Sequence, residues 1–257
     1  RGEPGGQCGG VENAVGHGAQ FPRPWRRSKG VARLSVVIPT LNAAAALPSC
    51  LAALDDAESL DLEVVIADGG STDDTVAVAS AAGATVVRAA RGRGTQLRAA
   101  IAASSAPWLL ALHADTVLAP GWAAAVAAFI ADEANARRAG YGRLVFDHPS
   151  SAARRLERVV AWRARRLGLP YGDQGLLLAR DFLDLLGGYP DWPLMEDVDL
   201  VRRIGRRRLV PLALTAVTSA ERYRRDGWLR RSRRNLGCLA LYYLGADPHR
   251  IARRYAR

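Results

Sequence analysis

From Leu34 onward, apolar residues fall in short runs punctuated by polar turns. Leu34-Ser35-Val36-Val37-Ile38, closed by Pro39, predicts a buried strand. Ala43 to Asp55, rich in Ala and Leu, predicts a helix. Leu62 to Ala67 predicts a second buried strand, ending at Asp68-Gly69-Gly70. Ser71-Thr72-Asp73-Asp74 supplies caps and first-turn acids for a helix over Thr75 to Ala82. Strands are predicted at Ala84 to Val87 and Trp108 to Leu112, with a helix over Thr95 to Ser104 between them. Pro120, at a first helical position, opens a helix reaching Ala131.

After Gly140 the alternation is less regular. Strands are expected at Tyr141 to Phe146, Gly175 to Ala179 and Leu209 to Leu212. Helices are expected at Ser150 to Leu167, Asp197 to Arg206, Gly227 to Leu244 and Pro248 to Tyr255. Residues 1–33 are rich in Gly, Pro and Arg without an apolar period, and are expected to form a disordered leader.

Strands alternating with helices specify an α/β domain with a mostly parallel central sheet flanked by helices. Such sheets bind ligands at the carboxyl ends of their strands. The polar residues gather there: Thr40 and Asn42 after the first strand, Asp68 after the second, Arg91 to Gln96 after the third, His113 and Asp115 after the fourth. That distribution points to one nucleotide-sized site.

Composition narrows the class. Of 257 residues, 49% are hydrophobic and 24% charged, as in a globular protein. No apolar run approaches the ~20 residues of a membrane span. The first thirty residues lack the apolar core of a secretory signal, so a cytoplasmic protein is expected. Cys8, Cys50 and Cys238 lie far apart with no CxxC pair, which excludes a disulfide scaffold and a cysteine-rich zinc site. The net charge of +11 is uneven. From Arg202 to the end, 16 arginines face 3 acids, whereas 34–201 hold 14 basic and 20 acidic residues. Basic ends suit phosphates: anionic lipid, nucleic acid or a phosphorylated ligand.

Four segments together resemble the inverting glycosyltransferases of family 2, which have the GT-A fold. They are Val36 to Asn42, Val64 to Asp73, His113-Ala114-Asp115, and Met195-Glu196-Asp197-Val198-Asp199-Leu200. Gly92-Arg93-Gly94-Thr95-Gln96 and Gly172-Asp173-Gln174-Gly175 resemble a bacterial branch of that family, the "transferase 2" (radical-SAM/selenodomain-associated) group. The resemblance implies a GT-A nucleotide-diphospho-sugar transferase domain over 34–215 and a basic helical extension over 216–257.

It also implies roles. Pro39, Thr40, Asn42, Asp68, Arg93 and Gln96 would line the nucleotide pocket, with Asp68 accepting from the base. Read alone, Asp68 starts a Gly-Gly turn, and Arg93 and Gln96 sit in a Gly-rich turn before a helix. Asp115, with His113 where the family carries its first Asp, would hold Mn²⁺ or Mg²⁺ on the diphosphate. Ala43 stands where the family often has Glu. Asp197 would be the general base, with Glu196 orienting the acceptor, and Asp173 and Gln174 would face donor sugar or acceptor. The implied partners are a UDP- or GDP-linked sugar and a hydroxyl acceptor, lipid-linked if the basic 228–244 stretch lies peripherally on the inner face of a membrane. No nucleic acid is expected as a partner. A non-catalytic GT-A-like scaffold, or an anionic-surface or nucleic-acid binding module using the arginine-rich ends, is the alternative. Its binding would fall steeply with salt and ignore Asp115. A dehydrogenase is excluded because GxGxxG does not follow the first strand.

Overall fold

The computed structural model describes residues 32–55 and 57–255, so residues 1–31 of the leader expected over 1–33 lie outside the described residues; Ala32 and Arg33 instead belong to the first strand, where they pair with Leu60 and Asp61. The strands are β1 (Ala32–Thr40), β2 (Leu60–Asp68), β3 (Thr85–Arg88), β4 (Trp108–Ala111), β5 (Thr116–Leu118), β6 (Ala139–Phe146), β7 (Leu176–Ala179) and β8 (Leu209–Thr218). The α-helices are α1 (Leu47–Ala52), α2 (Thr75–Ala81), α3 (Arg93–Ala103), α4 (Trp122–Ala131), α5 (Ser151–Trp162), α6 (Arg180–Leu185), α7 (Glu196–Ile204), α8 (Glu221–Asp226), α9 (Trp228–Tyr243) and α10 (Pro248–Tyr255).

All eight strands form one sheet in the order β3-β2-β1-β4-β7-β6-β8-β5. The β3-β2-β1-β4 half is parallel throughout. Beyond β4 the sheet is mixed: β7 runs antiparallel to β4 and β6, and β8 pairs parallel with β6 and antiparallel with β5. Alternation in β1 sends Leu34, Val36 and Ile38 to the layer of α1, α2 and α4, and Val37 to that of α3, α6 and α7. This buries the sheet on both faces, which is why its strands read as continuous apolar runs.

Several boundaries differ from the sequence expectation for local reasons. β1 runs through Pro39 to Thr40. Pairing with β4 stops at Val37, so no β4 partner awaits the N–H that Pro39 lacks. The first helix starts at Leu47 instead of Ala43. Pro48 suits its first turn, and Ala43 and Ala44 donate across to Thr75 Oγ1 (2.8 Å) and Asp73 Oδ2 (3.1 Å). Pro120 is not helical: Gly121, at φ 85°, turns the chain before α4 begins at Trp122. β5, α6 and α8 are too short to show a period. β8 continues to Thr218, past the expected domain edge at 215.

The C-terminal helices divide their faces. Cys238, Leu239, Leu241, Tyr242 and Ile251 pack on Leu194, Met195 and Val198 at the head of α7. Leu229, Leu236 and Leu244 are exposed. Among the described residues, no helix is long and apolar enough to cross a membrane.

Candidate active site

The carboxyl ends of β1 and β2 are locked together by their own polar side chains. Asp68, 3% exposed, accepts from Thr40 Oγ1 (3.2 Å) and Ser71 Oγ (2.5 Å) on Oδ1. Its Oδ2 accepts from the N–H groups of Gly70 (3.0 Å) and Ser71 (2.9 Å). Burial pushes this carboxyl up, but the bonds from Ser71, Gly70 and Thr40 outweigh it and hold the pKa below the ordinary range. A carboxylate has about four lone-pair sites, and here all are taken. Asp68 therefore organises the turn, and a nucleobase contact would have to displace one of these donors. Asn42, in the left-handed region at φ 50°, accepts from the Thr72 N–H (2.8 Å), while its own N–H donates to Ser71 Oγ (2.8 Å). Pro39 and Thr40 sit beside this loop pair at the end of β1.

Gln96 lies below that surface. Its amide donates to the carbonyls of Thr40 (2.6 Å) and Ala67 (2.9 Å), and its Oε1 accepts from the Gly92 N–H (3.3 Å). Gln96 thus holds β1, β2 and the head of α3 together and has no amide proton left for a ligand. The Gly-rich turn serves close packing as well. The Gly94 N–H donates to the Trp192 carbonyl (2.9 Å), so this part of the helix end is closed by protein. Gln174 is likewise internal. It donates to the Gly142 carbonyl (2.8 Å) and accepts from the Tyr171 N–H (3.4 Å), fixing the 171–175 loop against β6.

The remaining expected residues do converge. Met195, at φ 70°, is a non-glycine residue in the left-handed region, a local strain that turns the chain into α7. Glu196 and Asp197 then occupy the first turn of α7, 1% and 8% exposed. Arg93 from α3 reaches Glu196: Nε stands 2.8 Å from Oε1 as an ion pair, and Nη2 donates to Oε2 at 3.5 Å. Asp197 Oδ2 accepts from the Gly172 N–H (2.9 Å) and Oδ1 from the Val198 N–H (2.8 Å), which leaves lone pairs on both oxygens. Gly172 is the contact point of three segments. A Cβ there would lie 2.7 Å from His113 Nε2 and 3.3 Å from Asp197 Oδ2. Asp173 adds a buried Oδ1 with no partner among the described residues.

The acids respond differently to this setting. Burial pushes Asp197 up, but the Arg93 charge, the Gly172 N–H and the His113 charge outweigh it, and its carboxyl stays ionised below the ordinary range. Burial pushes Glu196 up to about 7; Arg93 opposes the rise and Asp197 adds to it. Burial and the Arg93 charge hold His113 below the ordinary imidazole range, against the pull of Asp115, Asp173 and Asp197. The raised Glu196 carboxyl contributes stability that is full below its ordinary 4.5 and is lost as the pH rises through about 7. Glu196→Gln is accordingly expected to flatten the decline in melting temperature between roughly pH 5 and pH 8. An unchanged slope would place that titration on another group.

Sequence reasoning did not single out Gly172, which touches Asp197 and His113, or Arg163 and Tyr171, whose guanidinium and ring stack 3.8 Å apart beside it. Gly172 opens the Gly-Asp-Gln-Gly segment, and a glycine there was a visible sign of close approach. Arg163 is one arginine in a basic helix, with nothing to distinguish it. Asp199, by contrast, is a helix acid paired with Arg203 (2.7 Å), as first-turn placement suggested.

The profile of Glycosyl transferase family 2 matches residues 35–177, more than half of the chain. The chain belongs to glycosyl transferase family 2. Solved relatives share its fold, GT-A, at low identity. Glucosyl-3-phosphoglycerate synthase from Mycobacterium tuberculosis, in complex with Mn²⁺, UDP and glucosyl-3-phosphoglycerate, has a TM-score of 0.52 and 22% identity over 74% of this chain and 71% of its own. Mannosyltransferase PcManGT from Pyrobaculum calidifontis, in complex with GDP-Man and Mn²⁺, has a TM-score of 0.59 and 19% identity over 82% of this chain and 63% of its own. A PGL/p-HBAD biosynthesis glycosyltransferase of Mycobacterium bovis (strain BCG / Pasteur 1173P2) is 50% identical over 46 residues. That match spans 18% of this chain and 18% of the curated relative's length. The family 2 segment ends within β7, so Glu196 and Asp197 lie beyond it.

Proposed function

We propose that this family 2 protein transfers a sugar from a UDP- or GDP-linked donor to a hydroxyl acceptor with inversion, Asp197 serving as general base. One observation carries the reading. Asp197 is held ionised with free lone pairs at the carboxyl end of the sheet, beside His113 and Gly172 and within reach of the Arg93 charge. In the step, the acceptor oxygen forms a bond to the anomeric carbon as the bond to the diphosphate breaks. The hydroxyl proton passes to Asp197, and the electron pair of the broken bond leaves with the diphosphate. Glu196, engaged by Arg93, positions that arginine. The relatives solved with UDP and with GDP-Man support the donor class.

Among the described residues, no cluster of three His, Cys, Asp or Glu side chains could hold a metal by itself. Mg²⁺ is commonly held by one or two carboxylates completed by substrate phosphates and water. Asp115 supplies the one carboxylate such a set needs, and the His113 imidazole, which feels the Asp115 charge, would join it in holding Mn²⁺ or, through the carboxylate alone, Mg²⁺ with the diphosphate. When bound, the cation would supply charge neutralisation for the leaving group.

The test is thermal melting with UDP, GDP, TDP and CDP, with and without Mn²⁺. One nucleotide is expected to raise the melting temperature through native-state binding, with Mn²⁺ required. Asp115→Ala is expected to abolish the Mn²⁺-dependent part. No shift with any nucleotide would reject the transferase reading and favour the arginine-rich ends with salt-dependent partners.

A further inference from the structure

Around the 171–175 loop, whose Gly172 N–H donates to Asp197, several buried polar atoms have no hydrogen-bond partner among the described residues. They are Arg163 Nε and Nη2, Tyr171 Oη, Asp173 Oδ1 and, on α9, Asn235 Oδ1. Unpaired buried polar groups are costly and uncommon, so several in one region call for an occupant. They are linked in space. The Arg163 guanidinium carbon stands 3.8 Å over the Tyr171 ring. Asp173 lies within electrostatic reach of Arg163, His113 and Asp197. Tyr223 of α8 receives a hydrogen bond from Asn235 (3.1 Å) and feels the Asp173 charge. The C-terminal helices therefore wall this region.

We propose that Arg163 forms an oxyanion-binding subsite beside Asp197, which takes a carboxylate or phosphate group carried by the acceptor. The inference deepens the transferase reading and rests on it. Nε and Nη2 lie on the same edge of a guanidinium, so the two unpaired donors form a single planar fork. A carboxylate or phosphate satisfies that fork with two parallel hydrogen bonds, which a hydroxyl cannot do. Arg163 opens the π-turn Arg163–Leu167 that closes the C-terminal end of α5. Stacking on Tyr171 fixes the guanidinium plane while leaving its edge free. Asp173 Oδ1 can accept from an acceptor hydroxyl, and Asp197 lies next to it to take the reacting proton. An anionic acceptor would otherwise be repelled by Asp173, Asp197 and Asp115; Arg163 offsets that repulsion.

The experiment uses the full chain saturated with the divalent cation and nucleoside diphosphate that raise its melting temperature, so that the diphosphate site is filled. Inorganic phosphate, acetate and neutral methanol are then titrated by calorimetry. Phosphate or acetate is expected to bind in the millimolar range, and methanol is not. Arg163→Gln is expected to weaken that binding by about tenfold or more, the value of a charge-assisted pair. Arg163→Lys keeps the charge but not the fork and is expected to lose most of the affinity too. Whether phosphate or acetate binds more tightly identifies the anionic group. Absence of anion binding, or equal binding by folded wild-type and Arg163 variants, overturns the subsite. If no nucleotide binds but phosphate still binds through Arg163, the transferase reading fails while the oxyanion site stands.

Discussion

Asp197→Asn is expected to lower the sugar-transfer rate by roughly 10²–10⁴-fold, the contribution of a positioned general base. Nucleotide affinity should change far less, because Asp197 sits on α7 and touches the diphosphate side only through the His113 and Arg93 charges. The amide is nearly isosteric and its oxygen can still accept the Gly172 N–H now bound at 2.9 Å. What it lacks is a charge to receive a proton. Single-turnover transfer and nucleotide melting shifts, measured on the same preparation, separate the two effects. A variant that binds nucleotide and transfers at the wild-type rate would move the base elsewhere, with Glu196 the first candidate because its carboxyl is pushed up to about 7. A wild-type chain that binds nucleotide but never transfers would point to a scaffold.

Gly94→Ala should produce the largest loss of stability from a single methyl group. Its Cβ would collide with the Pro190 carbonyl oxygen and lie 2.8 Å from that of Trp192 and 2.9 Å from the Trp192 nitrogen. All three are backbone atoms, so no rotamer change relieves the clash. α3 would have to retreat, opening the Gly94 to Trp192 hydrogen bond and drawing Arg93 away from Glu196. Overpacking of this kind costs about 3 kcal/mol. For a chain of this size that corresponds to a fall of roughly 6–12 °C in melting temperature. Gly237→Ala in α9 is the control. Nothing lies within 4 Å of its Cβ, and the helix should gain about 0.5–1 kcal/mol. Equal melting temperatures for wild type and Gly94→Ala would show that the 190–193 loop gives way.

The first half of the fold was readable because β1, β2 and β4 are buried on both faces and so appear as unbroken apolar runs. The second half was less so. Antiparallel β7 and three-residue β5 carry no length or period that marks their neighbours. At the site, the strand ends advertised their polar residues but not what each one does. Asp68, Gln96 and Gln174 look like ligand contacts in sequence. In space their hydrogen-bonding groups are used by Ser71, Thr40, Ala67 and Gly142, and no spacing rule reveals how many lone pairs a neighbour will take. Arg163 shows the converse. The subsite proposed there rests on two donors without a partner among the described residues, a property of the surroundings and not of the residue.

The Arg93–Glu196 ion pair joins residues 103 positions apart, one inside the family 2 segment and one beyond it. The pair therefore ties the head of α3 to the head of α7 by charge as well as by packing. Without the Glu196 carboxylate, the Arg93 guanidinium would lose its ion-pair partner and the two helix heads would be held by apolar contacts and the Gly94–Trp192 hydrogen bond.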